Sequence, residues 1–317
     1  MNAPVSREAA VSGTVAAFYH FTALTDLPAL RAALLAHGHA LGVKGSILLA
    51  PEGVNGNLAG PRERVEAMLA HLRALTGVEA LAVRHAPAAQ VPFRRLKVKL
   101  KREIVTLGIP ALSPPPCAGR RVGPRDWDAL LRDPNVLVID TRNDYEYRIG
   151  TFTGALNPRT GHFREFPRYV ADHLGEQRDR PIAIFCTGGI RCEKASAYLL
   201  QQGFEQVYQL EGGILRYLAE TAPEASAWQG DCFVFDERTA VDHQLAPAAY
   251  EQCPACRGPV AAAERGQPGY EAGVSCPACH AELTAERRRA LRERARQVRL
   301  ASARGEAHLG AVMEPSS

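Results

Sequence analysis

Ile182–Phe185, four consecutive apolar residues, run without interruption into Cys186-Thr187-Gly188-Gly189-Ile190-Arg191. Cys192–Gln202 then reads as a helix stopped by Gly203. So short an apolar run is a strand buried on both faces, and a strand feeding a helix through a glycine-bearing loop belongs to a parallel sheet covered by helices. Val136–Asp140 and Val207–Leu210 are further strands of this kind, and Trp127–Leu131 reads as a helix. This part of the chain is therefore α/β.

The loop also carries chemistry. Cys186 and Arg191 are the candidate catalytic residues: backbone N–H groups between them converge at a helix N-terminus, where they stabilise an anion, and two glycines permit the curvature. The same field lowers the pKa of Cys186 and favours the nucleophilic thiolate over an inert buried thiol. Cys192, on the first helical turn, reads either as a resolving thiol or as a small core side chain. Asp140-Thr141-Arg142 ends a neighbouring strand with Glu146 close behind, and both carboxylates can hold arginines beside the loop.

The chain's 317 residues, 46% hydrophobic and 23% charged, exclude a disordered or fibrous protein and suggest two or three domains. In the first hundred residues Phe18–Leu24, Leu27–His37, Ser46–Ala50, Asn57–Ala59, Pro61–Leu75 and Leu96–Leu100 read strand, helix, strand, strand, helix, strand. Asn55-Gly56 is expected at the hairpin tip and Leu96–Leu100 as the closing strand, an order that fits a ferredoxin-like α+β domain over 1–109. Five prolines make 110–124 a linker; an α/β domain spans 125–222, and a cysteine-bearing region 223–317.

Cys253-Pro-Ala-Cys256 and Cys276-Pro-Ala-Cys279 lie nineteen residues apart, the spacing of a structural four-cysteine zinc ribbon rather than of two unrelated dithiols. His280 reads as a neighbour of that site, and Cys117 and Cys232 receive no role. The net charge of +4 is unevenly placed: Thr284–Arg304 holds eight Arg and two Glu, so the rest sums to −2. Arg288 and Arg292 of this helix, and Arg95, Lys97, Lys99 and Lys101 on one face of an alternating strand, are candidate phosphate contacts, with a solvated face as the alternative. Apolar runs are strand-sized, far below the ~18 residues of a spanning helix, and the start lacks a secretory pattern. A cytoplasmic protein without membrane partners is expected, its thiols reduced, metal-bound or catalytic.

Cys186–Arg191 resembles the six-residue loop of rhodanese-type domains. Related phosphatases carry one residue more, so the loop here suits a persulfide better than a phosphate. Gly154-Ala155-Leu156-Asn157-Pro158 and Leu210-Glu211-Gly212-Gly213 are similar to other rhodanese segments. The sequence as a whole is similar to the bacterial rhodanese-like tRNA uridine hydroxylase family. The likeness rests on Glu52-Gly53-Val54-Asn55-Gly56, Lys97–Ile104, Asp140–Glu146 with Ile149–Phe152, Cys186–Lys194, Arg296-Gln297-Val298 and Arg304-Gly305-Glu306-Ala307-His308. The resemblance implies 5-hydroxylation of the tRNA wobble uridine, with molecular oxygen as co-substrate, Cys186 essential and tRNA as partner.

Hydroxylation with dioxygen usually calls for a flavin or redox metal. The sequence shows neither a Rossmann glycine fingerprint nor a two-His-carboxylate cluster. A persulfide- or thiosulfate-dependent sulfurtransferase and a non-catalytic tRNA-binding protein are the rival readings. The first requires sulfur on Cys186 and turnover without RNA; the second tolerates loss of Cys186.

Overall fold

The computed structural model describes residues 13–109, 112 and 118–305. The first twelve residues, Cys117 and the Glu306-Ala307-His308 part of the tail lie outside them. The chain divides into two units, Met1–Thr106 and Leu107–Ser317.

The first unit runs β1 (Gly13–Phe21), α1 (Leu27–Leu41), β2 (Lys44–Ala50), β3 (Gly53–Gly60), α2 (Arg62–Thr76), β4 (Val83–Ala88) and β5 (Leu96–Leu100). Its sheet has the order β4-β1-β3-β2-β5, a ferredoxin-like arrangement with one strand added. Alternate residues Ala16, Phe18, Ile47, Leu49, Val54 and Leu58 point to one face, where they pack on Leu34 of α1 and Met68, Leu69 and Leu72 of α2.

Two expectations are corrected here. Asn55-Gly56 is not the hairpin tip: Ala50 pairs with Gly53, so Pro51-Glu52 makes the turn and Asn55 lies inside β3 opposite Leu48 and Tyr19. Long-range bonds override the local turn signal. Asn55 Nδ2 donates to Ile104 O (3.1 Å), the Glu52 carboxylate accepts from Ile104 N–H (2.7 Å), and the Phe18 ring fills the space over Gly56. Leu96–Leu100 does not close the ferredoxin order either. It pairs parallel to β2 as an outer strand, and β4 takes the fourth position. β4 escapes pattern reading because an edge strand needs little apolar alternation and tolerates Pro87.

The second unit opens with β6 (Arg120–Val122), α3 (Pro124–Arg132), β7 (Leu137–Asp140), α4 (Asp144–Tyr147) and β8 (Gly150–Phe152). It continues with α5 (Phe166–His173), β9 (Ile182–Phe185), α6 (Ile190–Gln201), β10 (Val207–Leu210) and α7 (Gly213–Glu220). The sheet order is β6-β10-β9-β7, every pair parallel, as the apolar strands require. β7 and β9 are entirely buried.

Beyond residue 222 the chain returns to this core. β11 (Trp228–Gly230) pairs with β8, and β12 (Cys232–Phe233) with β13 (Ala240–Val241). Phe152, fully buried, is the hub of an aromatic cluster. Its ring centroid lies 4.9 Å from Phe185, 4.7 Å from Tyr217 and 5.2 Å from Trp228, all edge-on, the arrangement ring quadrupoles favour. The hairpin β14 (Tyr250–Gln252)–β15 (Pro259–Ala261) and α8 (Ala285–Ala303) complete the unit. Thr284 caps α8 by accepting from Arg287 N–H at 3.1 Å.

Candidate active site

Parallel α/β sheets present ligand sites at the carboxyl ends of their strands. Of the adjacent strands here, β7 ends in Asp140 and β9 runs directly into Cys186. Cys186 is fully buried, and its Sγ accepts from Gly189 N–H at 3.1 Å. Thr187, Gly188 and Gly189 make the turn, and α6 begins at Ile190 with no side-chain cap, so the Cys186 sulfur meets an otherwise uncapped helix N-terminus. The Gly212-Gly213 turn supports the loop from behind: Ile214 N–H donates to Cys186 O (3.0 Å) and Leu215 N–H to Thr187 O (3.1 Å). A Cβ on Gly213 would sit 2.5 Å from Cys186 O, at a φ of +65°. Gly213→Ala is therefore expected to displace the loop and to cost roughly 1–3 kcal/mol of stability, read as a lowered midpoint of chemical unfolding.

Two buried ion pairs flank the loop. The Arg191 guanidinium grips Glu146 with both ends, Nη1 to Oε2 at 2.7 Å and Nη2 to Oε1 at 2.8 Å. Thr187 Oγ1 donates to the same carboxylate at 3.3 Å and Asn143 N–H at 3.1 Å. Burial pushes the Glu146 carboxyl up, but the Arg191 charge and hydrogen bonds outweigh it and hold it below its ordinary value. Asp140 and Arg142, both fully buried, form the second pair, with Nε to Oδ1 at 2.9 Å and Nη2 to Oδ2 at 2.6 Å. Arg142 Nη2 also donates to Gly150 O (2.6 Å), and its guanidinium lies 5.1 Å from the Trp228 ring. Arg191 thus acts on Cys186 through its charge while its hydrogen bonds are spent on Glu146 and Thr187.

These groups decide the state of the thiol. Burial raises the Cys186 pKa, but the Cys192 thiol, the Arg191 charge and the N–H groups of Cys192 and Gly189 bring it down to about 6. Cys192, buried and donating to that sulfur, is pushed well above its ordinary value, with Thr141 Oγ1 at 3.8 Å from its Sγ. The two shifts run in opposite directions, favouring thiolate on Cys186 and thiol on Cys192. Cys232 is a buried thiol that burial pushes up to about 12.

The four cysteines of the C-terminal region come together. Their sulfurs all lie within 4.8 Å of one another, with Cys253–Cys279 and Cys256–Cys276 at 3.7 Å and Cys276–Cys279 at 3.6 Å. A tetrahedral ion with bonds of ~2.3 Å needs sulfurs about 3.8 Å apart, so the cluster could hold a metal ion. His280 lies outside this set and meets Arg288 instead, Nη1 to Nδ1 at 3.1 Å.

The basic candidates separate into two kinds. Lys97 and Lys99 stand opposite Ser46 and Leu48, on the sheet face away from the helices, and Arg95 and Lys101 continue the alternation on either side. That face also carries Tyr19, which sequence reading overlooked. Arg288 and Arg292 are drawn into the C-terminal module: Arg292 binds Glu271 through Nε (2.7 Å) and Nη2 (2.9 Å), and Arg288 donates to His280 O (2.8 Å). Internal pairing therefore uses three arginines of α8, Arg296 also binding Glu293 through Nε at 3.0 Å, while Arg287, Arg289, Arg294 and Arg299 remain exposed.

Sequence reading also missed Trp228, which closes over Arg142, and Phe235, whose ring lies 5.7 Å from the Arg191 guanidinium. A signal was present. Asp236-Glu237-Arg238 repeats the Asp-x-Arg spacing of Asp140-Thr141-Arg142, and the structure gives both the same fork, Nε to Oδ1 at 2.9 Å in each.

Residues 13–104 match the family of UPF0176 acylphosphatase-like domains and 124–220 that of rhodanese-like domains. A solution structure of a rhodanese-like domain from Anabaena covers 35% of this chain and 78% of its own, at 21% identity and a TM-score of 0.30. A tRNA uridine(34) hydroxylase of Mesorhizobium japonicum is 52% identical over 93% of this chain and 96% of its own length. The tRNA uridine(34) hydroxylase of Agrobacterium fabrum is 51% identical over 93% and 94% respectively. At that identity over nearly the whole of both partners, the chain belongs to the tRNA uridine(34) hydroxylase family.

Proposed function

We propose that this protein hydroxylates uridine 34 of tRNA at C5, with Cys186 as nucleophile and dioxygen as the source of the oxygen atom. The observation that carries the chemistry is the Gly189 N–H on Cys186 Sγ at 3.1 Å, at a helix N-terminus. The thiolate adds to uridine C6, and the C5–C6 π pair moves onto C5 and its conjugated carbonyl. C5 then attacks the electrophilic oxygen. Loss of the C5 proton expels Sγ and restores the double bond. One oxygen atom enters the product; the other leaves as water, which takes two electrons and two protons from an external reductant. Arg191 and Glu146 hold the loop in shape, and Asp140 with Arg142 fixes the neighbouring strand end.

The relatives' activity, stated in their names, supports tRNA as the substrate. Lys97, Lys99, Arg95 and Lys101 on the sheet face away from the helices are the phosphate contacts assigned to this role, together with the exposed arginines of α8. Arg288 and Arg292 serve it by orienting that helix. No described helix is long and apolar enough to cross a membrane. A tRNA substrate supports a cytoplasmic location. A test is to incubate unmodified tRNA with the native protein in air and under argon. Nucleoside mass spectrometry should find 5-hydroxyuridine in air alone; equal product under argon would remove dioxygen from the scheme.

Four thiolates saturate a tetrahedral ion, so zinc in the Cys253, Cys256, Cys276 and Cys279 cluster is structural. Elemental analysis is expected to find about one zinc per chain. Cys253→Ser should lose it, together with the ordered packing of the region around α8, seen as a drop in helical circular dichroism and faster proteolysis there. Full metal loss with unchanged proteolysis would contradict a structural role.

A further inference from the structure

Phe235 is 56% exposed, the most exposed large hydrophobic side chain among the described residues, although Val234 and Asp236 on either side are buried. Its ring is held on two sides. The Arg191 guanidinium carbon lies over it at 5.7 Å from the centroid, and the Phe233 ring meets it at 5.1 Å and 81°, itself braced edge-on by Tyr145 at 5.1 Å. The turn that carries it is fixed as firmly. Arg238 forks onto the Asp236 carboxylate, Val234 N–H donates to Thr239 O (2.9 Å), and Thr239, 1% exposed, is held at a φ of +64°. A non-glycine residue persists in that conformation only where its surroundings impose it. With Arg191 and Phe233 against it, the ring still leaves more than half of the residue's surface open. The platform therefore sits against the residue that closes the Cys186 loop, apolar, held by its neighbours and largely exposed.

An unpaired nucleobase presented to a protein nucleophile needs a flat partner to hold its plane, and aromatic rings supply this in sites that take a base out of its stack. We propose that Phe235 is the stacking platform for the uracil ring of position 34 as the anticodon enters the Cys186 loop. It positions substrate and takes no part in bond making. This rests on the uridine reading above, so its test includes a readout that needs no turnover.

An anticodon stem–loop carrying 5-iodouridine at position 34 is bound to the full-length protein and irradiated, and the cross-linked peptide is mapped by mass spectrometry. The cross-link is expected on Phe235. Phe235→Ala should lose it while keeping the same folded circular dichroism, and should lower kcat/KM for tRNA roughly 5- to 150-fold, the loss of one base stack. Phe235→Tyr should retain both. Phe235→Leu keeps the apolar bulk without a flat ring and should behave as the alanine variant does, which covers a failure of that variant to fold. A cross-link at another residue, or a Phe235→Leu variant with native kcat/KM, would overturn the proposal. If the native protein makes no 5-hydroxyuridine, the cross-link still decides: on Phe235 it upholds base stacking while the hydroxylase reading fails, and its absence overturns both.

Discussion

Cys186→Ala is expected to abolish 5-hydroxyuridine formation, a loss of at least about a thousandfold, while tRNA affinity stays within about twofold of native, since the residue is fully buried and offers no phosphate contact. The same thiol gives a pH signature. Its folded pKa lies below the ordinary thiol value, at about 6, so the reactive thiolate is complete above that pH and is lost as pH falls through it. Alkylation by iodoacetamide should follow one titration in that range on Cys186, and Cys192 should stay unmodified over it because its own pKa is displaced upward. Removing the Cys192 hydrogen bond with Cys192→Ala should shift the Cys186 titration upward. A midpoint near the ordinary thiol value in the native protein would remove the helix-terminus and Arg191 fields as its cause.

Glu146→Ala is expected to destabilise the second unit by about 3–5 kcal/mol, the effect of leaving one member of a buried ion pair without its partner. Arg191 would lose both short hydrogen bonds, and Thr187 and Asn143 would lose their acceptor. Glu146→Gln keeps the shape and part of the hydrogen bonding and should cost less. Because the folded Glu146 pKa is lowered, the pair's contribution is present above the ordinary carboxylate pKa and fades as pH falls through and below it. Chemical unfolding at neutral and acid pH reads both effects. Neither variant should raise the Cys186 titration, since taking an anion away cannot disfavour a nearby thiolate. Product formation should nonetheless drop in both, because the loop loses its brace. An unfolding midpoint within experimental scatter of native for Glu146→Ala would contradict the bracing role.

How much of this was legible beforehand depends on how local each signal is. The strand into Cys186, the loop and the helix behind it lie within twenty residues, and they form as read because each neighbour imposes the next. The four-cysteine cluster is equally local in its two halves. Asn55-Gly56 misled because a turn propensity of two residues competes with a full strand ladder and with bonds to Ile104, fifty residues away. β4 was overlooked because an edge strand with one neighbour carries little pattern. Glu146 and Arg191 are forty-five residues apart, so charge type suggested partnership while only the β7–β9 pairing brings them together. Phe235 and Trp228 left little trace beyond the Asp236-x-Arg238 repeat: hydrophobic residues in a short, irregular stretch show no period, and their positions over Arg191 and Arg142 arise from β11 returning to β8. The basic character of α8 was plain, but its division between Glu271 and open solvent was not.

The most direct test of the chemistry assigned to Cys186 is nucleoside and oligonucleotide mass spectrometry of unmodified tRNA incubated under isotopically heavy dioxygen with the native protein and with Cys186→Ala. The native protein should place one heavy oxygen on uridine 34 alone, and the variant should leave the tRNA unchanged. Unlabelled tRNA with the native protein, alongside turnover of a thiosulfate or persulfide donor at Cys186 without RNA, would contradict hydroxylation and assign the loop to sulfur transfer.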